Sequence, residues 1–383
     1  MKKITKKILL EQILNIKEEE IDDFIEKEIS NIDVKEIKIN NKFAYSLDTN
    51  KKLRKIQSNI NDFLTPIVEL NNSAIAYRKE LSYFDFIEPH TKNYHFIRMD
   101  ISSFFHSLDI NDIKTALCQY VDNDIINKNH KQHLIDVIMK CITYTVPITA
   151  NNENYHNSTI LPMGFSTSPL ISNLVFRKID ILIQKLCVKL DVIYTRYADD
   201  MLFSSPKDKN IVHSDFFIKE IKILISIINL KMNTKKTIIK SHTISLNGYV
   251  IQNKINFSGF RGLFNNTIPS EIRISNKKTT IIDKLIHYII IKKVKNNIIL
   301  KKLFNEDVRK LMIFSNKKKY IDSYSLDQIL NKLIGYRSFL LSIIKYNKKS
   351  NITSNKTIQK YQDKIIKIEK CISIVKKKQN KFN

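Results

Sequence analysis

The 383-residue chain is 43% hydrophobic and 9% aromatic, enough to bury a core spanning several subdomains and too apolar for global disorder. Its 64 Lys and Arg against 38 Asp and Glu leave a net charge of +26. That excess points to a polyanionic partner, nucleic acid first, with a lysine-rich surface as the plain alternative. Four scattered cysteines with no CxxC or Cys/His cluster exclude a zinc module and a disulfide framework, and fit a reducing compartment.

No run approaches the about 18 uninterrupted apolar residues of a membrane span. Glu11 interrupts the apolar run after the basic N-terminus too early for a signal peptide, so a cytoplasmic protein without a membrane partner is expected. Within residues 8–30, Ile8, Leu9, Ile13, Leu14, Ile21, Phe24 and Ile25 recur at helical spacing, predicting an amphipathic helix or helix pair. Phe43–Leu47 is β-like, and a helix follows from about Lys51 to Leu64, closed by Pro66. Phe96–Met99 is an apolar strand that delivers Asp100 at its end, before Ile101-Ser102-Ser103-Phe104-Phe105-His106 turns toward a helix.

Helical spacing returns at Ile113–Val121 and Leu134–Ile138. Thr143–Ile148 is more β-like, and Asn151–Ser158 is a polar loop. Leu161-Pro162-Met163-Gly164 carries one of only five glycines, expected to permit close backbone approach to a ligand. Ser168 then Pro169 read as N-cap and first position of a helix running through Asn173 to Ile179.

Val192–Tyr197 and Met201–Ser204 are β-prone and flank Asp199-Asp200, predicting a hairpin with two carboxylates at its turn. Adjacent acids repel each other. A cation needing oxygen ligands is one reason to place them there, and a solvated turn is the other. Residues 214–231 are helical. Residues 260–383 are basic and mostly helical. Tyr361, Ile365, Ile368, Ile372 and Val375 form a heptad stripe expected to pack within the chain, a second subunit being the alternative.

Tyr194–Ser205, with Tyr-Ala-Asp-Asp between apolar strands, resembles the palm hairpin of reverse transcriptases. Phe96–Leu108 resembles the first palm motif of that family, Leu161–Asn173 the second, and Asn233–Thr237 its Asn-x-x-Lys-Thr turn. Residues 73–90, with Tyr77, Arg78 and His90, resemble the fingers segment of retron and group II intron-type enzymes. The bacterial retron-like, defence-associated branch, which includes abortive-infection enzymes, is the nearest in kind.

The resemblance implies an α+β right-hand polymerase: fingers and palm of antiparallel sheet with helices, then a mainly α-helical thumb. The expected divisions are 1–94 (N-terminal helices and fingers), 95–258 (palm, with inserted fingers at about 110–160) and 259–383 (basic thumb and C-terminal extension). It also implies two Mg2+ ions, with Mn2+ as substitute, held by Asp100, Asp199, Asp200 and the Ile101 carbonyl. Asp100 and Asp199 would bridge and Asp200 would be more peripheral. Lys236, with Lys235 as runner-up, would protonate the leaving pyrophosphate. Phe105, five residues after Asp100, would exclude the ribonucleotide 2′-hydroxyl. Arg78, Met163, Gly164, Ser168, Pro169, Asn173 and Tyr197 would contact nucleotide or template, and Asn247 with Gly248 would grip the primer.

Three departures concern nucleotide, template and primer handling. Met163 stands where most members have glutamine. Leu246-Asn247-Gly248 stands where retron enzymes carry Val-Thr-Gly. No Arg-x-Ile-x-x-Pro occupies Phe43–Asn50, leaving Arg54 or Arg78 as substitutes. The expected activity is RNA-directed DNA synthesis from dNTPs on a dedicated non-coding RNA, in antiphage defence. Restricted or untemplated synthesis, with a protein as primer, is the second reading. An inactive RNA-binding scaffold is the third. A homo-oligomer or a partner defence protein is compatible with any of them.

Overall fold

A computed structural model of the chain describes residues 2–26, 33–39, 42–127, 132–253, 255–258, 265–268, 270–308 and 318–379. It divides into two compact units: Met1–Ile87 with His95–Ile239, and Glu88–Tyr94 with Lys240–Asn383. Helices dominate, with small antiparallel sheets among them.

In the first unit, the expected helical stretch 8–30 is broken into short pieces: Lys6–Ile8, a π-helical Leu9–Leu14, a 3-10 turn at Glu18–Glu20 and Ile21–Phe24. Residues 27–30 of that stretch lie outside the described residues. A hairpin follows as β1 (Lys35–Ile39) paired with β2 (Lys42–Ser46). Helix α1 (Lys51–Leu64) is capped by the Asn50 side chain on the Leu53 N–H, and buries Leu53, Ile56, Ile60 and Leu64 at helical spacing.

Strand β3 (His95–Asp100) leads to α2 (Ile110–Leu117) and α3 (Leu134–Ile142). Helix α4 (Ser168–Lys189) then runs through the core, burying Ile171, Phe176, Ile179 and Ile183. It starts one residue earlier than the serine-proline pair suggests. Thr167 occupies the cap, and the Ser168 hydroxyl donates to the Pro162 carbonyl at 2.7 Å instead of capping.

The hairpin is β4 (Ile193–Tyr197) and β5 (Asp200–Ser205), followed by α5 (Asp215–Ser226). Strand β5 lies between β3 and β4, and all six of its residues are buried, as a central strand covered on both faces requires. Strand β6 (Ile238–Ser241) follows, and the first unit ends within it. Phe203 stacks on Tyr194 at 4.9 Å between ring centres and meets Phe217 of α5 edge-on at 5.3 Å, anchoring the sheet to its helical layer.

In the second unit, β7 (Thr243–Leu246) and β8 (Tyr249–Gln252) form a hairpin, and β8 also pairs β9 (Glu271–Ile274). Asn247 and Gly248 make its two-residue turn with φ of +48° and +93°, as an Asn-Gly pair favours. Helices α6 (Asn276–Ile290), α7 (Asn296–Phe304), α8 (Lys318–Ser350) and α9 (Asn355–Gln379) make up most of the rest. The heptad stripe lies on α9, which packs against α8. Cys371, rather than Ile372, is its fully buried member, with Tyr361, Ile365, Ile368 and Val375.

Candidate active site

Strand register brings the acids together. Asp100, last in β3, is the direct cross-strand partner of Asp200, first in β5. Asp199 sits beside them in the two-residue turn, after Ala198 in a left-handed conformation (φ +57°). The Ile101 N–H donates to the Asp199 carbonyl at 3.0 Å, and the Asn233 N–H donates to the Asp100 carbonyl at 2.7 Å. Neither bond uses the Ile101 carbonyl.

Each carboxylate faces a different cation. Lys236 Nζ is 2.9 Å from both Asp100 oxygens. Arg98, on the same strand face as Asp100, grips Asp200 through Nε at 3.0 Å and Nη2 at 2.6 and 2.7 Å. Lys42 Nζ, at the start of β2, lies 3.4 Å from Asp199 Oδ2. Burial raises the Asp200 carboxyl pKa, and the charges of Asp199 and Asp100 add to the rise while Arg98 opposes it.

These donors are hard oxygens of the kind Mg2+ takes, and they suit an ion that completes its shell with water and phosphate. Among the described residues no group of three or more His, Cys, Asp or Glu forms a ready-made metal cage. Asp199, with the longest ion pair and 28% of its side chain exposed, is the acid most open to an incoming ion. Asp200, clamped through both oxygens by Arg98, and Asp100, held through both oxygens by Lys236, are more enclosed.

Beside Asp199 lies a cavity of about 240 Å³, lined by Lys42, Tyr77, Phe105, His106, Asn154 and Met163 among others. The adjacent phenylalanines divide in role. Phe104 is 3% exposed and packs edge-on against Phe176, whereas the half-buried Phe105 ring lies 6.4 Å from that of Tyr77 across the cavity wall. Tyr77 is exposed and holds φ at +64°, a strained conformation for a bulky side chain.

The Met163 N–H donates to His106 Nε2 at 3.1 Å. Burial, then the charge of Lys42, pushes the His106 imidazole down to about 4, so it is a neutral acceptor at pH 7. At Gly164 a Cβ would lie 2.4 Å from the Tyr45 carbonyl oxygen, and φ is +116°. The glycine permits close approach of the β2 backbone, where the Tyr45 N–H donates to the Met163 carbonyl at 2.8 Å.

The remaining expected contacts scatter. Arg78 and Pro169 line a separate groove of about 330 Å³ with Asn61 and Ser166. Ser168 and Asn173 are buried within the scaffold, Asn173 Nδ2 donating to the Ala76 carbonyl at 2.9 Å. Tyr197 joins an aromatic cluster, edge-on to Tyr83 at 5.1 Å. Asn247 and Gly248 belong to the second unit, as does His90, which is fully buried. Sequence reasoning missed Lys42, Arg98 and His106. Only Arg98 carried a local signal, two residues before Asp100 on the same strand face.

Acids at the ends of two neighbouring antiparallel strands, a lysine on one of them and a ring-walled cavity alongside make up the site. A family profile described as reverse transcriptase (RNA-dependent DNA polymerase) matches residues 45–261, more than half the chain, and the protein belongs to that family. It is similar to two retron reverse transcriptases of Escherichia coli. One, from retron Ec73, is 33% identical over 36% of this chain and 41% of its own length. The other, from retron Ec86, is 28% identical over 43% and 44%. The chain thus spans less than half the length of these relatives. Among solved structures, a Candida albicans telomerase in complex with a telomeric RNA fragment aligns over 89% of this chain and 62% of its own. Its identity is 12% and its TM-score 0.40. Among the described residues no helix is long and apolar enough to cross a membrane.

Proposed function

We propose that the protein is an RNA-directed DNA polymerase, adding deoxynucleotides to a primer 3′ end on a non-coding RNA template, within antiphage defence. The observation that carries this reading is the meeting of Asp100, Asp199 and Asp200 at one sheet edge, beside a cavity walled by Phe105. Two divalent ions, Mg2+ or Mn2+, held by Asp100, Asp199 and the Ile101 carbonyl with Asp200 at the periphery, would activate the 3′-hydroxyl and neutralise charge on the phosphates.

The chain's own residues supply the rest. Lys236, at 2.9 Å from Asp100, would give a proton to the departing pyrophosphate. Lys42, freed from Asp199, offers a positive charge to the triphosphate, the task for which the sequence suggested Arg54 or Arg78. The Phe105 ring gives a 2′-hydroxyl neither room nor a hydrogen-bond partner, which favours dNTPs. The basic surface would hold template and primer by their phosphates. Synthesis with little or no template is the second reading. It rests on Met163, which lines the cavity with a thioether that cannot hydrogen-bond a sugar as an amide can.

The test is to purify the protein with its bound nucleic acid and supply Mg2+ with each dNTP alone and all together. Products are sequenced beside those of Asp199→Ala/Asp200→Ala. Product matching a co-purified RNA supports templated synthesis, and homopolymer or simple repeat supports the second reading. Equal output from wild type and mutant would overturn both and leave an RNA-binding scaffold.

A further inference from the structure

We propose that Arg196 is a positioning residue that sets the Asp199 turn and the Tyr77 wall of the cavity in register with each other. This rests on the reading of that cavity as the nucleotide site. The Arg196 guanidinium and the Asp180 carboxylate are both fully buried, joined Nε to Oδ1 at 2.9 Å and Nη2 to Oδ2 at 2.7 Å. The Tyr194 hydroxyl donates to the same Oδ1 at 2.7 Å, and the Phe176 ring covers the guanidinium at 4.5 Å. A buried ion pair of this kind is poor evidence of a stabilising role, because apolar side chains of similar volume often serve a core as well.

What apolar side chains could not supply is the third arm. Nη1 donates to the Ala198 carbonyl at 3.1 Å, on the residue immediately before Asp199. Ala198 is in a left-handed conformation that non-glycine residues rarely adopt, so its peptide needs an external restraint. Two bonds to Asp180 fix the plane of the guanidinium. Its donors form a rigid fork, so the position of Nη1 is fixed with them.

The backbone of the same residue restrains the other wall. The Arg196 N–H donates to the Ser73 carbonyl at 2.7 Å, and its carbonyl accepts from the Ile75 N–H at 2.8 Å. That strap continues through Ala76, whose carbonyl is held by Asn173, into Tyr77. Asp199 lies three residues from Arg196 along the hairpin, and Tyr77 lies two residues past Ile75 along the strap. Both line the one cavity. A shift of Arg196 would therefore move the acid and the wall relative to the nucleotide.

Arg196→Lys tests this, because it keeps a cation opposite Asp180 but cannot hold both carboxylate oxygens and Ala198 together. Primer extension is measured with Mg2+, with dNTPs and rNTPs, alongside amide hydrogen exchange over residues 73–78 and 197–200. The expected result is kcat lowered at least tenfold with KM within threefold. The preference for dNTPs over rNTPs should narrow at least threefold, and exchange should be at least tenfold faster in both segments. Tyr194→Phe, which removes a bond to Asp180 and leaves Arg196 in place, should lower Tm while kcat and exchange stay within twofold. Kinetics and exchange within twofold of wild type in Arg196→Lys would overturn the proposal, as would an equal loss in Tyr194→Phe. If Arg196→Lys does not fold, the neutral pair Asp180→Asn/Arg196→Gln takes its place with the same readings. Hydrogen exchange needs no activity, so a wild type that incorporates no nucleotide would refute the polymerase reading while exchange still decides the role of Arg196.

Discussion

Replacing Gly164 with alanine tests how tightly the β1–β2 hairpin sets the cavity wall. The added Cβ would lie 2.4 Å from the Tyr45 carbonyl oxygen and 3.2 Å from its carbonyl carbon and nitrogen. Ordinary contact begins near 3.5 Å, so the two backbones must part by roughly 1 Å. Parting them breaks the 2.8 Å bond from the Tyr45 N–H to the Met163 carbonyl, worth about 1 kcal/mol. The φ of +116° adds about 1–3 kcal/mol of strain for any residue with a Cβ. The sum, roughly 2–4 kcal/mol, corresponds to a Tm lower by roughly 4–16 °C. A displacement of about 1 Å at Met163 should also reduce nucleotide incorporation about a hundredfold. Calorimetry and single-nucleotide incorporation on the purified variant measure both effects. A variant melting within about 1 °C of wild type and incorporating normally would refute the assignment of Gly164 to backbone packing.

Phe105→Ala should raise kcat/KM for rNTPs relative to dNTPs by about 10–100-fold, read by competitive incorporation. An unchanged ratio would remove Phe105 from sugar selection. Lys236→Ala should lower kcat by about 10²–10⁴-fold and also lower Tm, since it leaves the Asp100 carboxylate, 5% exposed, without its cation. Single-turnover kinetics showing no loss would exclude it as the proton donor. Stability should also depend on acid through two histidines. Burial, aided by Lys42, holds His106 at about 4, and burial holds His90 at about 3, whereas both take a proton near 6.5 when unfolded. The unfolded chain then binds more protons between those limits. Their contribution is complete above about pH 6.5 and falls with acid, by about 1.4 kcal/mol per unit for each histidine. Urea midpoints at pH 7 and pH 5 should differ, and His106→Gln should reduce the difference. Equal midpoints in wild type would contradict it.

What the sequence shows well is whatever depends on neighbours along the chain. The acids were legible because an apolar strand ending in Asp100 and two β-prone runs around Asp199-Asp200 leave little freedom in register, so Asp100 meets Asp200. Helix α1 was legible in its bounds, with Pro66 closing it just past Leu64, while its Asn50 cap was not read. Gly164 announced a close approach but not its object, because a missing Cβ does not say which backbone fills the space. Ser168 looked like a cap since serine before proline usually is one. The Pro162 carbonyl, six residues upstream, competes for its hydroxyl.

Of the cations around the acids, Lys236 was named through the resemblance of its turn, whereas Lys42 and Arg98 were not. They come from separate segments, and a chain with 64 Lys and Arg gives no way to choose them by composition. Electrostatics nonetheless requires them. Three carboxylates at one partly buried sheet edge repel one another, so the fold must compensate them with side chains wherever no metal ion does. How each is compensated then separates roles that three equivalent acids would share. Asp200 is held through both oxygens by a guanidinium on the neighbouring strand, and Asp100 by a lysine close to its own backbone partner Asn233. Among the described residues, the ion pair of Asp199 is the longer one to the Lys42 ammonium on the β1–β2 hairpin, outside the sheet that holds the acids. Single substitutions should therefore rank by that attachment. Arg98→Ala should destabilise the fold by leaving Asp200 buried and unpaired, about 3–5 kcal/mol at most, whereas Lys42→Ala should leave Tm nearly unchanged and raise KM for dNTPs. Thermal melts showing the reverse order would mean that Asp200, and not Asp199, is the acid free to take an ion.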